Sequence, residues 1–354
     1  MGNIVLIIDS LVKAGAETTN IRLSSMFIKA GYSVHIISLK NEVEIQIPPK
    51  VIFHTLNYKK NKLLFNDKLF SKKLKNLLDN IPDKKLILGS LGLSHKLMNF
   101  INDKFNFYYV LHGNTTEAKL NTKKGIKKFI KKNELEKLYT NKNIIAVSNA
   151  VKNDILTLNI KPKSIQTIYN PFDFEEIYNK SLEKIDIKLP SKYIVHIGRF
   201  AKVKRHDILI KAFSKINDKD LKLILVGDGK EKQNIESLIK KLNLESKVIL
   251  TGFLDNPYPI VKNAKLLVLS SENEGFGNVI IEALSLNIPV ISTATIGAKE
   301  ILKDFPFYLS KINDYIDLSN KISIALNENY KSKIDLDKFN YLNIIDEYTE
   351  LTLL

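Results

Sequence analysis

Short, nearly continuous apolar runs alternate along this chain with longer stretches whose apolar residues recur every three or four positions. The short runs predict strands buried on both faces, and the amphipathic stretches predict the helices that cover them. That alternation is the pattern of α/β domains with parallel sheets. In the first half, strands are expected at Asn3–Ile8, Ser33–Ser38, Val51–His54, Lys85–Leu88, Phe107–Leu111 and Asn143–Val147. In the second half they are expected at Tyr193–Ile197, Lys222–Val226, Lys247–Leu250, Lys265–Leu269 and Ile288–Ser292. Asn170-Pro171 opens a polar stretch that lasts to Pro190 and marks a boundary. The expectation is two Rossmann-like, doubly wound domains at 1–170 and 171–335, with a last helix from about Leu336.

The run ENEGFGNVIIEAL carries the most chemistry. It places Glu274 and Glu282 eight residues apart around a turn containing Gly275 and Gly277. A helix starting near Asn278 presents unpaired amides and the positive end of its dipole, which together make an anion site. The glycines let backbone approach a ligand there. Glu274 then stands at the mouth, and Glu282 lies about two turns further on, where it reaches a sugar hydroxyl of a bound nucleotide. The alternative is a solvated pair of carboxylates flanking an ordinary loop and helix.

Other segments bear on the choice. The run HIGRFAKVKRHDILIKAF carries Arg199 and, five residues on, Lys204; KAGAETT follows the first strand, and LHGN ends the fifth. Further on come AVSNAVKNDIL, IYNPFDF, LILVGDG and LTGFLDNPYPIVKNAKLLVLSS. Together with Glu-x7-Glu in EGFGNVIIEAL, this ordered set resembles retaining glycosyltransferase family 4, the glycosyl transferases group 1, across nearly the whole chain. The resemblance implies the GT-B architecture, two Rossmann-like parallel-sheet domains facing a cleft. It further implies that the first domain binds the acceptor and the second the nucleotide sugar, with residues 336–354 crossing back to the first.

By the same resemblance, Arg199 and Lys204 hold the donor diphosphate and Glu274 binds donor sugar hydroxyls, steadying oxocarbenium-like charge. Glu282 holds the ribose, and the backbone of Phe253 and Leu254 lies beside the nucleobase. Gly275, Phe276, Gly277, Asn278 and Val279 line the donor site. His112 contacts the donor sugar and helps orient the acceptor; Gly15 belongs to the loop that approaches donor phosphate and acceptor. Two departures stand out: Ala14 replaces the more usual first glycine of that loop, and Arg205 follows Lys204 where the family often has a small residue or asparagine. Gly227-Asp228-Gly229 is a lone G-x-G and reads as a turn rather than a phosphate cradle.

At 354 residues the chain has the length of two domains. Without cysteine it has no disulfide, thiolate nucleophile or cysteine metal site, which suits a reducing cytoplasm. The N-terminal apolar run is short and contains Asp9, so it reads as a buried strand and not as an export signal or a span. The histidines show no metal-ligand spacing, and no Asp-x-Asp motif stands at a strand end. No metal or other cofactor is expected, because Arg199, Lys204 and helix amides supply the positive field for a diphosphate leaving group.

The net charge of +16 lies wholly in residues 1–170, where 28 Lys and Arg face 12 Asp and Glu; the remainder has 26 of each. A basic half beside a neutral half implies a polyanionic partner. Two segments, Asn57–Leu78 and Lys119–Leu138, interleave lysines with apolar residues at near-helical spacing. In the first, Leu69, Phe70, Leu74 and Leu77 share a face; in the second, Ile126, Phe129 and Ile130 do. Such helices either lie on an anionic membrane or cover their own sheet with lysines in water. Nucleic acid is disfavoured, since Arg22 is the only arginine before residue 171 and no nucleic-acid module is evident.

The expected function is therefore a retaining hexosyltransferase using a nucleotide-diphosphate sugar, UDP preferred, with a hexose or N-acetylhexosamine as the moved group. The expected acceptor is a saccharide or lipid-linked saccharide in bacterial-type surface glycan or lipopolysaccharide synthesis, and the expected location is the cytoplasm, peripheral on the inner membrane face. The alternatives are a nucleotide-sugar epimerase of the same fold and a catalytically silent membrane-associated scaffold.

Overall fold

The computed structural model describes residues 2–59, 66–116, 120, 123–327 and 334–353. The chain divides into two compact units, Met1–Pro171 with Asp337–Leu354, and Phe172–Leu336. The first holds a seven-stranded sheet of β1 (Asn3–Ile8), β2 (Ser33–Ser38), β3 (Val51–Thr55), β4 (Lys84–Ser90), β5 (Phe107–Leu111), β6 (Asn143–Ala146) and β7 (Ser164–Thr167), ordered β3-β2-β1-β4-β5-β6-β7. The second holds β8 (Tyr193–Ile197), β9 (Lys222–Val226), β10 (Val248–Gly252), β11 (Leu266–Leu269), β12 (Val290–Thr293) and β13 (Leu309–Ser310), ordered β10-β9-β8-β11-β12-β13. The pairings are parallel.

Both sheets are wound outward from the centre, so each has one place where successive crossovers leave in opposite directions: between β1 and β4, and between β8 and β11. Loops leaving the carboxyl ends of strands at such a point open a crevice, the usual ligand site of doubly wound sheets. Burial on both faces explains the unbroken apolar strands. Ile4 to Ile8 and Leu223 to Leu225 are wholly inaccessible.

Strand boundaries expected from the apolar runs hold for β1, β2, β5, β8 and β9. Two strands carried no such signal. β7 reads SIQT and lies half-exposed at a sheet edge, and β13 is two residues long at the opposite edge of the other sheet. β4 runs on through Gly89 and Ser90, and Gly89 admits the helix Gly92–Asn99 packed on it, since a Cβ there would sit 2.0 Å from the Met98 sulfur. The expected strand at Ile288–Ser292 starts later, at Val290. Asn287, at φ 60°, ends the preceding helix, and the Ile288 amide donates back to the Ala283 carbonyl at 2.9 Å.

The two lysine-rich segments behave differently. Residues 60–65 of the first and 119, 121 and 122 of the second lie outside the described residues. In the first, the helix Asn66–Asp79 buries Phe70, Leu74 and Leu78. The apolar stripe is thus turned from the expected one: Leu69 is exposed and Leu77 only half-buried. In the second, the helix Gly125–Tyr139 buries only Leu135 and Tyr139, near its end, and leaves Ile126, Phe129 and Ile130 exposed at 78%, 65% and 51%. Among the described residues no helix is long and apolar enough to cross a membrane. The last helix, Tyr341–Glu350, packs on Gly15–Lys29, with the rings of Tyr348 and Phe27 edge to face at 5.6 Å.

Candidate active site

In the second unit, the loops after β8 and β11 carry most of the expected donor residues and flank its switch point. The loop after β8 passes Gly198, Arg199 and Phe200 and enters a 3-10 turn, Lys202–Lys204. Its course is set by the β9 loop. The Phe200 amide donates to the Asp228 carbonyl at 2.8 Å, and the Glu231 amide donates to the Phe200 carbonyl at 3.0 Å. A Cβ at Gly227 would meet the Gly198 oxygen at 2.1 Å, and one at Gly229 the Phe200 oxygen at 2.5 Å, with φ at 144° and 151°. The lone G-x-G thus packs one loop against another.

The loop after β11 leads into the helix Asn278–Ser285, which starts where the sequence predicts, behind Gly277 at φ 97°. It is tied to the first loop through backbone: the Glu272 amide donates to the Val203 carbonyl at 2.8 Å, and the Ser270 hydroxyl to the Lys204 carbonyl at 2.9 Å. The Gly297 amide donates to the Glu274 carbonyl at 3.1 Å, and a Cβ at Gly297 would lie 2.3 Å from the Phe276 oxygen. So fixed, the two loops bring the Lys204 ammonium onto the Glu274 carboxylate, a hydrogen-bonded ion pair between residues seventy apart. Ser271, fully buried, donates from its hydroxyl to the same Glu274 oxygen at 2.8 Å, and the Thr293 hydroxyl holds the Ser271 carbonyl at 2.5 Å.

The remaining donor candidates divide by exposure. Arg199 is exposed, and its side chain makes no hydrogen bond or ion pair among the described residues. Gly275, Asn278 and Val279 are half-buried, while Phe276 and Gly277 are buried. Glu282 is buried in the second turn of its helix. Phe253 is exposed and Leu254 half-buried directly after β10, the strand on the far side of β9.

Arg205 explains why a small residue or asparagine suits its position, for it adopts the left-handed conformation at φ 48°. It is no spare cation. Its guanidinium forks onto Asp207 at 2.9 and 3.0 Å and also hydrogen-bonds Asn313. That pairing pushes Arg205 up, while the guanidinium holds the partly buried Asp207 below the usual carboxylate range.

Behind Lys204 lie two uncharged histidines that sequence spacing did not single out. Burial lowers His196 to about 4 and His206 to about 2, Lys204 adding to the shift in both. The His196 Nδ1 pairs with the Val268 carbonyl at 2.8 Å, leaving its Nε2 and both His206 nitrogens without a hydrogen-bond partner among the described residues. Folded-state values below the unfolded one mean stability that is present above pH 6.5 and lost as pH falls towards 4. Thermal melts from pH 7 to pH 4.5 are expected to show that loss, and His206→Phe is expected to flatten it, since Phe200 and His196 already surround the ring at 4.8 and 4.6 Å. An unchanged slope in His206→Phe would refute the assignment.

In the first unit, His112 follows β5 and its Nε2 lies 3.0 Å from the Ser90 hydroxyl at the end of β4. Asn20 bonds the same hydroxyl at 3.1 Å. Burial lowers His112 to about 4, so it is neutral near pH 7. The Asp154 carboxylate holds the loop beyond it by accepting from the Thr115 and Thr116 amides at 2.7 and 3.1 Å. Gly15 opens the helix Gly15–Lys29, and a Cβ there would meet nothing within 4 Å. Ala14 is extended, at φ −143°, so alanine there requires no unusual backbone. Sequence reasoning missed Ser271, Ser90, Asp154 and the paired histidines: the two serines hydrogen-bond Glu274 and His112, Asp154 holds the Thr115 and Thr116 amides, and the histidines are buried within the field of Lys204, relations that local spacing does not reveal.

Two family profiles divide the chain between them, Glycosyltransferase Family 4 over residues 14–176 and Glycosyl transferases group 1 over residues 178–341. A Campylobacter jejuni protein named N-acetylgalactosamine-N,N'-diacetylbacillosaminyl-diphospho-undecaprenol 4-alpha-N-acetylgalactosaminyltransferase is 32% identical over 319 residues, 87% of this chain and 86% of its own. The Staphylococcus aureus capsular polysaccharide biosynthesis glycosyltransferase CapM is 28% identical over 323 residues, 85% and 82% of the two chains. Among solved structures, Anabaena HepE in complex with UDP and glucose superposes with a TM-score of 0.79 at 18% identity, covering 100% of both chains.

Proposed function

This chain belongs to glycosyltransferase family 4 and is a glycosyltransferase of the GT-B type, and from that premise we propose that it moves a hexose or N-acetylhexosamine from a nucleotide-diphosphate sugar with retention at the anomeric carbon. The observation that carries this reading is the meeting of Lys204 and Glu274 on two loops at a switch point, beside the amides that open the helix Asn278–Ser285. Cation, carboxylate and helix N-terminus together match a diphosphate and the sugar hydroxyls beside it.

In the proposed reaction, the bond from the anomeric carbon to the diphosphate oxygen breaks as the acceptor oxygen bonds that carbon from the same face. The acceptor proton passes to a phosphate oxygen. Arg199 and Lys204 take up the charge growing on the diphosphate, with the amides of Gly277 and Asn278 adding to the field. Glu274 holds donor hydroxyls, Glu282 the ribose, and the backbone at Phe253 and Leu254 the base. His112, neutral and fixed on Ser90, contacts the sugar and orients the acceptor. Gly15 leaves its loop open to both substrates.

Uridine is the preferred base, in keeping with a fold neighbour solved with UDP and glucose. The relative named for diphospho-undecaprenol supports a lipid-linked saccharide as acceptor. The exposed Ile126, Phe129 and Ile130, flanked by lysines, support docking on an anionic membrane at its cytoplasmic face. The experiment is a panel of nucleotide sugars assayed for slow release of nucleoside diphosphate, run in excess chelator. Hydrolysis of one donor, undiminished by the chelator, is expected, since protein cations replace a metal. No hydrolysis of any donor would refute the function, and loss with chelator restored by magnesium or manganese would refute the metal-free chemistry.

A further inference from the structure

Arg199 and Lys204 differ in a way that the family motif does not convey. Arg199 stands exposed without an anionic partner among the described residues, whereas Lys204 is already committed to Glu274. The pair is mostly sheltered, with side-chain exposures of 23% and 16%. The two histidines behind it are uncharged, so they neither compete for Glu274 nor replace it as a partner for Lys204. Backbone bonds tie the two loops together, so a ligand that separates the ion pair does so by turning side chains. Ser271 keeps hold of the carboxylate when the ammonium leaves, because its hydroxyl donates to Glu274 and its carbonyl is fixed by Thr293.

We propose that Lys204 and Glu274 form an exchange latch, in which the donor's diphosphate displaces Glu274 from Lys204 and the carboxylate so released is the one that takes the sugar hydroxyls. This rests on the donor site proposed above. Arg199 is the first contact of the diphosphate, and Lys204 follows by exchanging one anion for another. A nucleoside diphosphate alone must break the ion pair and leaves Glu274 with Ser271 but without a cation or a sugar hydroxyl. The intact nucleotide sugar breaks the same pair and satisfies both halves. The latch therefore favours donor over spent nucleotide in a site whose phosphate contacts are common to both, and it favours release of the product once the sugar has gone.

Calorimetric titration of UDP, GDP and ADP identifies the nucleoside diphosphate bound most tightly by the wild type, and the test is made with that one. Glu274→Gln keeps an acceptor for Ser271 and removes the charge that holds Lys204. It is expected to bind the nucleoside diphosphate about three- to tenfold more tightly, an effect on the scale of one partly exposed ion pair, while its sugar transfer falls. Arg199→Ala is expected to weaken binding. In a Lys204→Ala background the gain from Glu274→Gln is expected to vanish, since no latch remains. An equal gain in that background would mean simple repulsion of the diphosphate by Glu274 and would overturn the latch, as would unchanged or weaker binding by Glu274→Gln. If neither Arg199→Ala nor Glu274→Gln alters binding, the diphosphate site is elsewhere and both readings fall.

Discussion

Replacing Lys204 by alanine is expected to slow sugar transfer by about 10²–10³-fold, the usual effect of deleting one donor to a charge that develops in the transition state. Arg199→Ala is expected to act on the same scale. The diphosphate gains negative charge as the sugar leaves, so a cation fixed against it lowers the barrier more than it tightens the ground state. Neither change should unfold the protein. Arg199 is exposed, and the 3-10 turn that carries Lys204 is held by backbone, its amide donating to the Ala201 carbonyl at 2.9 Å. Melting temperatures near that of the wild type, with the loss confined to turnover, are the result to look for. Wild-type turnover in both variants would remove the diphosphate site.

The reach of the sequence differs between elements for physical reasons. β1, β2, β5, β8 and β9 were legible because burial on both faces demands an unbroken apolar run. The helix at Asn278 was legible because glycine and asparagine before VIIEAL are a boundary signal. β7 was not, since an edge strand reading SIQT has no face that must be apolar. Lys204 and Glu274 are seventy residues apart, and no local pattern says that they touch. Only the resemblance of both segments to one family linked them, and the hydrogen bonds between the loops supply the physical reason. Ser271 is a serine among serines until its hydroxyl is seen on Glu274. The helices at Asn66 and Gly125 both interleave lysines with apolar residues, and amphipathicity alone cannot say what covers an apolar face. One covers its own domain with Phe70, Leu74 and Leu78; the other leaves its apolar residues open.

That open face sets the expectation for membranes. Full-length protein is expected to bind vesicles containing anionic lipid and to bind neutral vesicles far less. The helix Gly125–Tyr139 presents Ile126, Phe129 and Ile130 to solvent, and Lys124, Lys127 and Lys128 are exposed around them. Each lysine near an anionic surface contributes about 1 kcal/mol. Exchanging Lys123, Lys124, Lys127, Lys128, Lys131 and Lys132 for glutamine is therefore expected to weaken binding by at least about 10²-fold, even with Lys131 partly satisfied by Glu134 at 2.7 Å. Raising salt should weaken the wild type in the same direction, because surface attraction is screened over about 8 Å at physiological ionic strength. Replacing Ile126, Phe129 and Ile130 by serine tests the apolar half of the contact, since lysines alone attract the protein to the surface without inserting it. Donor hydrolysis should survive both sets of changes, for the proposed diphosphate site is built from the other unit. Equal binding to neutral and anionic vesicles, or no binding at low salt, would leave those lysines as a solvated face and the apolar residues without a lipid partner.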